Sequence, residues 1–381
     1  MTYRINRLTL SDFRNYATLR IEPTCPLVAL TGNNGAGKTN ILEAVSLLVP
    51  GRGLRGSAFN VVARLSGSGS WAVAATVDVP EGEFHLGTSF EGDPSSEDGG
   101  NAGRNAMVDG EVQRSSGVLT NYLKMLWLTP AMDRLFAGPA SDRRRFFDRL
   151  VAAFDSHHGA RFSAFEKLMR ERNFLLQDHR SDAVWLSSIE RQMAEQAVAI
   201  ATARNAAAET LARHFAGHAD QSPFPWGILQ LVGEIEVLAA HNPAVQAEEE
   251  YARLLFDSRG ADRAQQRTLK GPHRTDFSVT HGPKNVPADL CSTGEQKALL
   301  IGLILAQAKA VKELVGAAPI LLLDEVAAHL DAARRRGLFE SLTRLGVQAW
   351  MTGTDESLFG EAGPQAALYH VEQGEIVEVK Q

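Results

Sequence analysis

Several scarcities in this 381-residue chain set the first limits on what it can be. Only two cysteines occur, Cys25 and Cys291. One bridge between them is formally open, but so low a count fits two reduced thiols of a cytosolic protein better. Without a histidine cluster near them they also give no zinc site. No run approaches the ~18–20 apolar residues that cross a bilayer. The most apolar stretch, Pro319–Leu323, is short and ends in two acids, which predicts a buried strand. The opening segment, MTYRINRLTLSDFRNY, has no uninterrupted apolar core and does not read as a signal peptide. Positive charge is not in excess: 39 Lys and Arg against 45 Asp and Glu leave a net −6. A globally basic nucleic-acid binder is excluded; one with a local basic face is not, because the field follows the distribution of charge rather than its sum. No internal repeat of solenoid length is visible.

What is present reads as globular. The length predicts two or three domains. Ile5, Leu8 and Leu10 begin an extended segment, and Leu19–Glu22 and Leu27–Thr31 are further strands. Thr39–Leu48 reads as a helix, and Trp71–Val79 with Glu83–Phe90 as a hairpin about Pro80-Glu81-Gly82. Residues 91–103 are polar and glycine-rich, which predicts a surface loop. From about Ser141 to Glu250, spacings of three and four replace alternation. Trp185–Phe215 puts Leu186, Ile189, Met193, Ile200, Ala207 and Leu211 near one face and contains neither Gly nor Pro, which predicts a long helix. Asp142–Leu176 also reads as helical, and Asn242-Pro243 breaks a later segment. Strand signals then return at Phe277–His281, Ile320–Leu323, Val347–Met351, Ala366–Val371 and Ile376–Val379, with helices at Glu295–Leu314 and Ala332–Leu345. The predicted class is α/β. One domain is split in sequence into 1–140 and 256–381, and a helical insertion occupies 141–255.

Three motifs carry chemistry. Gly32-Asn33-Asn34-Gly35-Ala36-Gly37-Lys38-Thr39 fits G-x-x-x-x-G-K-[ST] and stands between an apolar strand and a helix, the context that this motif requires. Its glycines let backbone amides curl around phosphate oxygens, and the helix start adds free N–H groups. Lys38 is expected at the β- and γ-phosphates of ATP, and Thr39 on Mg²⁺. The second motif is Ile320-Leu321-Leu322-Leu323-Asp324-Glu325. A carboxylate ending a buried strand is costly unless it serves a metal or a water network; Asp324 suits the Mg²⁺ shell, and Glu325 suits polarising the attacking water. The third, Ser292-Thr293-Gly294-Glu295-Gln296-Lys297, precedes an apolar helix. It reads either as an anion-binding helix start or simply as a capping box, with Ser292 and Glu295 at the S-x-x-E spacing.

The order of these motifs resembles the ABC-type P-loop ATPase head, in its SMC-like branch. The resemblance implies that Ser292 and Gly294 face the γ-phosphate bound to the other subunit of a head-to-tail dimer. Lys297 matches the same element, Ala328-His329-Leu330-Asp331 the loop that places Asp331 across that interface, and Thr352 the switch position at the γ-phosphate. Two departures stand out: transporters carry histidine at the switch, and Thr129-Pro130 falls where a glutamine is usual. The match narrows to the RecF family on Leu8-Thr9-Leu10-Ser11-Asp12-Phe13-Arg14-Asn15-Tyr16, Trp127-Leu128-Thr129-Pro130-Ala131-Met132-Asp133, Phe136-Ala137-Gly138-Pro139, Arg143-Arg144-Arg145-Phe146-Phe147-Asp148 and Lys270-Gly271-Pro272-His273-Arg274-Thr275-Asp276. That resemblance implies a cytoplasmic, DNA-associated protein that binds ATP and Mg²⁺ and closes into an ATP-dependent homodimer on duplex DNA and single-strand/duplex junctions. It implies weak, DNA-stimulated ATP hydrolysis. It also implies action with RecO and RecR, and indirectly RecA, in gap repair and the SOS response, with no membrane partner. The alternative is another SMC-like DNA-repair ATPase; the insertion is too short for a long coiled coil and has no CxxC hook. Arg14, Arg52, Arg55, Arg64 and Arg143–Arg145 are candidate DNA contacts, and each reads equally as an ordinary solvated or ion-paired arginine.

Overall fold

Short apolar runs without alternation are the mark of strands buried on both faces. Four such runs, Leu27–Thr31, Met125–Leu128, Ile320–Leu323 and Ala349–Thr352, are buried at every position. The computed structural model, which describes residues 2–92, 103–177, 182–216 and 222–379, joins them in one six-stranded sheet. Its order is Glu375–Val379, Ala366–Glu372, Leu27–Thr31, Ala349–Thr352, Ile320–Leu323, Met125–Leu128. All neighbours are parallel except the antiparallel edge strand Glu375–Val379. The register sets Leu30 beside Thr352 and Leu323 beside Met351 and Leu128, so the carboxyl ends of the central strands lie together. That edge is where ligands bind in open α/β sheets.

A second sheet is antiparallel, in the order Tyr16–Ile21, Arg4–Phe13, Trp71–Val79, Gly82–Phe90, Asn105–Val108, Glu111–Gln113. Trp71, Val73, Ala75, Val77 and Val79 alternate inward along their strand. They share one core with Leu42 and Val45 of the helix Lys38–Ser46 and with Val28 and Leu30 of the parallel sheet. Most of residues 91–103, expected to loop out, lie outside the described residues.

The chain divides into two compact units, one of Met1–Asp133, His218–Pro225 and Lys297–Gln381, the other of Arg134–Gly217 and Trp226–Gln296. Both sheets above belong to the first. The second has helices Ala140–Phe154, His158–Gln177, Ala183–Ala216, Glu234–His241 and Ala244–Gln265. Phe165, Leu176, Ile189, Met193, Ile200, Tyr251 and Leu255 form its core. Here the structure differs from the expectation twice. Asp142–Leu176 is two helices, because Asp155 leaves the helical region and its carboxylate takes the His157 amide at 3.0 Å. The block of helical spacing also contains a strand, Gly227–Val232, paired antiparallel along its length with Asp276–His281. Its partner lies about fifty residues downstream, so no local pattern announces it. Cys25 and Cys291 are both free thiols. Among the described residues no helix is long and apolar enough to cross a membrane.

Candidate nucleotide site

The strand Leu27–Thr31 delivers the chain to Gly32, whose φ of 134° excludes ordinary side chains. A Cβ there would also stand 2.3 Å from the Val371 carbonyl oxygen. Asn33, Asn34 and Gly35 are exposed, and the Ala36 amide closes the turn on the Asn33 carbonyl at 3.2 Å. Gly37, at φ 116°, caps the helix Lys38–Ser46. Lys38 is 4% exposed, and its Nζ donates to the Gly32 and Asn33 carbonyls at 2.6 and 2.8 Å. Burial lowers its pKa, while the Glu325 and Asp324 carboxylates pull the other way.

Asp324 stands at the opposite side of the loop, with its amide on the Leu128 carbonyl at 2.9 Å. Its Oδ1 accepts from the hydroxyls of Thr39 and Thr352, at 2.9 and 2.8 Å. The Thr352 oxygen in turn accepts the Glu325 amide at 2.8 Å. Glu325 has φ 53°, a conformation costly for a side chain of this size, and its neighbours hold it there. Thr39, Asp324, Glu325 and Thr352 therefore meet at the carboxyl edge of the sheet. Among the described residues no three His, Cys, Asp or Glu side chains gather as a metal cage. A hydroxyl and a carboxylate oxygen side by side nevertheless suit Mg²⁺, which takes few protein oxygens and completes its shell with water and phosphate.

The residues behind the loop had no bracing role in the sequence reading, where Arg14 stood as a candidate DNA contact. The Asn15 amide donates to the Ala36 carbonyl at 3.1 Å, and its Oδ1 accepts from Asn40 at 2.7 Å. A Cβ on Gly37 would lie within 2.5 Å of Asn15 and the Tyr16 hydroxyl. Arg14 grips Glu43, a buried carboxylate of the same helix, through two nitrogens at 2.9 and 2.7 Å. The fingerprint Asp12-Phe13-Arg14-Asn15-Tyr16 is thus the support of the loop. The available signal was Glu43 itself, an acid inside the apolar run Ile41, Leu42, Ala44 and Val45 of a helix buried at every position from Ile41 to Ser46.

Ser292 and Gly294 stand at the start of the helix Thr293–Val315, and both belong to the second unit. One half of the capping box is present, Glu295 accepting the Ser292 amide at 3.0 Å, while the Ser292 hydroxyl donates to the same carboxylate at 2.8 Å. Lys284 pairs with the same carboxylate, and these contacts hold Glu295 down at about 2. Gly294 faces open space. Lys297 is buried and donates to Asp133 at 3.2 Å, inside the first unit. Asp331 caps the helix Ala332–Leu345 by accepting the Arg334 amide at 2.8 Å.

Several arginines proposed for DNA are otherwise engaged. Besides Arg14, Arg64 pairs with Asp12 at 2.8 Å, and Arg55 with Glu43 at 3.0 Å. Of the arginine run, Arg143 forks onto Asp276 at 2.8 and 2.7 Å, and Arg144 donates to the Thr275 carbonyl at 2.9 Å. Arg145 is exposed beside Asp142. Asp148 accepts from the buried Arg204, which also meets Glu236 and the Pro272 carbonyl. Two of the family-like segments, at 143–148 and 270–276, are therefore tied to each other.

His273 sits in this network, its Nε2 3.1 Å from the Thr268 carbonyl and its ring stacked on Phe165. Burial, with lesser help from Arg274 and Arg144, lowers its pKa to about 4. The unfolded chain takes up this proton near pH ~6.5, and the folded chain does not until about 4. This site therefore leaves stability intact above that upper value and erodes it as pH falls through the window, by about 3 kcal/mol in all. Asp148 and Asp276, whose pKa values are lowered, act below the window. Urea midpoints compared at pH 7.5 and 4.5 are expected to fall less in His273→Gln than in the parent; equal falls would refute this assignment.

Comparison with known proteins bears on the family and the fold. The model described as RecF/RecN/SMC N terminal domain matches residues 4–377. The chain is 49% identical to the DNA replication and repair protein RecF of Mesorhizobium japonicum, over 98% of this chain and 97% of that one. It is 47% identical to RecF of Rhizobium etli, over 98% of both. Among solved structures, the recombination mediator protein RecF–ATPrS in the RecFOR pathway superposes with a TM-score of 0.86 at 22% identity, covering 100% of this chain and 99% of that chain. The Smc head domain derived from Pyrococcus furiosus, with an extended coiled coil, gives 0.54 at 15% identity, covering 100% and 97%. Both structures share the ABC-type head fold, split in sequence and carrying a helical insertion. On the near-half identity along the full length of its relatives, the chain belongs to the RecF family, within the RecF/RecN/SMC group.

Proposed function

We propose that this chain is an ATP-dependent DNA clamp of recombinational repair. It would act with RecO and RecR to promote RecA loading at single-strand gaps beside duplex DNA, and so serve the SOS response. The observation that carries the reading is the meeting of Thr39, Asp324, Thr352 and the Glu325 backbone at the end of the P-loop sheet, in a chain of this family. In this reading Lys38 and the amides of Gly32–Thr39 bind the ATP phosphates, and Thr39 and Asp324 hold Mg²⁺, which neutralises charge on the phosphates. Ser292 and Gly294 of a second copy complete the site, so that ATP joins two chains. Glu325 accepts a proton from the water that attacks the γ-phosphorus as the bond to ADP breaks. Thr352 fixes the Asp324 carboxylate and the Glu325 amide with one hydroxyl. Turnover is weak, stimulated by DNA, and resets the clamp. In this reading the helical insertion 141–255, but for residues 218–225, belongs to the second compact unit together with residues 256–296.

Titration of gapped and continuous duplex DNA with and without ATP tests this function. Binding is expected to need ATP, and Lys38→Ala is expected to weaken ATP affinity by at least about tenfold, because it removes the cation that meets the phosphates. DNA affinity indifferent to ATP, or unchanged nucleotide affinity in Lys38→Ala, would overturn the clamp reading.

A further inference from the structure

The chain is acidic overall, but no Asp or Glu occurs between Glu43 and Asp78, whereas Arg52, Arg55 and Arg64 do. This segment also carries two uncovered apolar side chains. Leu65 is 105% exposed and Val61 60%. A lone exposed leucine is ordinary. This one is held out by a braced turn. The Gly67 amide donates to the Arg64 carbonyl at 2.9 Å, placing Leu65 at the tip. The Arg64 amide donates to the Asp12 carbonyl at 2.8 Å, while its guanidinium spans Asp12 and Ser66 at 2.8 and 2.7 Å. A Cβ on Gly67 would lie 2.7 Å from Asp12, so the turn is pressed onto the first hairpin. Arg14 secures the base of Val61 through its carbonyl at 3.0 Å.

The same support reaches the nucleotide helix. Glu43 receives Arg14 and Arg55, Arg55 also donates to Asn40 at 2.7 Å, and Ser57 accepts from Arg14 at 2.8 Å. Two arginines on one buried carboxylate leave the cluster with an excess of positive charge. Arg52 stands exposed between Gly51 and Gly53, in a backbone with left-handed φ at both glycines. A guanidinium beside a rigid apolar tip, as Arg64 stands beside Leu65 with Arg14 and Arg55 on the support behind it, is the combination by which proteins grip phosphates while an aliphatic side chain props a base step open.

We propose that Leu65, backed by Val61, is an apolar wedge that packs against the terminal base pair of duplex DNA at a single-strand/duplex junction, with Arg52 and Arg55 on the adjoining phosphates. The inference rests on the DNA-binding reading above and names the surface that would select a junction over continuous duplex. A polyanion is the occupant that the charge favours, since the segment itself carries three arginines and no acid, and only Asp12 and the buried Glu43 answer them, together with Arg14.

The test uses the full chain with ATP, on a gapped duplex and a continuous duplex of equal length, with 2-aminopurine in the first pair of the junction. Leu65→Ala is expected to lose about tenfold in affinity for the junction and nothing on continuous duplex, and to abolish the fluorescence rise that unstacking produces in the parent. Arg52→Ala is expected to weaken both DNAs alike and reduce the salt slope by about one. A Leu65→Ala chain with the parent's junction preference and fluorescence overturns the wedge while leaving the clamp intact. Equal loss on both DNAs also overturns it. A parent chain that binds neither DNA overturns both readings. Unchanged DNA binding with loss of a purified protein partner would make the tip a protein contact instead.

Discussion

Glu325→Gln is expected to lower ATP turnover by roughly 10²–10⁴-fold while sparing ATP binding. Glutamine keeps the shape of glutamate and cannot take a proton from water. The backbone of residue 325 is held independently of its side chain, by the hydrogen bond its N–H donates to the Thr352 hydroxyl and by the strand that ends at Leu323, so the loop is expected to keep its place. Lys38 and Thr39 lie on another element and keep their contacts with the phosphates. If ATP is the joint between two copies, removing the base while sparing the joint leaves the closed dimer with no exit. Size exclusion with ATP is therefore expected to show the variant as a persistent dimer where the parent returns to its resting state as ATP is consumed. Phosphate release gives the rate, and sizing gives the state. A variant that stays monomeric with ATP, or that hydrolyses at the parental rate, removes Glu325 from the role assigned to it. Asp324→Asn is a useful contrast. Asp324 accepts two hydroxyls at once, and the amide weakens that acceptor, so ATP binding is expected to suffer together with turnover.

Much of this site is legible in sequence because its parts are local. Gly32 to Thr39 form a contiguous turn whose φ angles only glycine tolerates at its ends, and Asp324 announces itself as a charge closing an apolar run. What was not legible depends on partners far along the chain. Asn15 and Arg14 look like hairpin residues until Ala36 and Glu43 are seen beside them. Gln348 reads as a polar residue in an apolar strand, but its side chain bonds both the amide and the carbonyl of Ile5, a pairing 343 positions apart. Met125–Leu128 is too short and too uniformly buried to show a period, although it holds the sheet edge on which Asp324 rests. The arginines were the least legible. Arg143 and Arg145 are two residues apart in one helix, yet one forks onto Asp276 while the other stays in solvent. Helical spacing separates their faces, but it does not say which face meets a carboxylate.

Arg204→Met is expected to cost about 3–5 kcal/mol, a large stability effect for the second unit. The guanidinium is 1% exposed and serves three acceptors: Asp148 through two nitrogens at 2.8 and 2.9 Å, Glu236 at 2.7 Å and the Pro272 carbonyl at 2.8 Å. Methionine fills much of the volume but leaves Glu236 with the Thr275 hydroxyl and Asp148 with His158. The deficit therefore comes from uncompensated carboxylates rather than from lost packing, and this can be tested apart from the size of the effect. Arg204 lowers the pKa of Asp148 in the parent; without it the carboxyl rises, so protonation relieves the variant sooner. The stability gap between parent and variant is expected to be widest near neutral pH and to narrow as pH falls towards 4. If the loss were one of packing, the gap would be flat across that range. Removing the stranded charges as well, in Arg204→Met with Asp148→Leu and Glu236→Met, is expected to recover a large part of the deficit, because a buried charge set is destabilising chiefly when broken. Urea midpoints of the three chains across pH decide it. A flat gap, or a triple variant no more stable than Arg204→Met, would mean that Arg204 holds the lobe by shape rather than by charge.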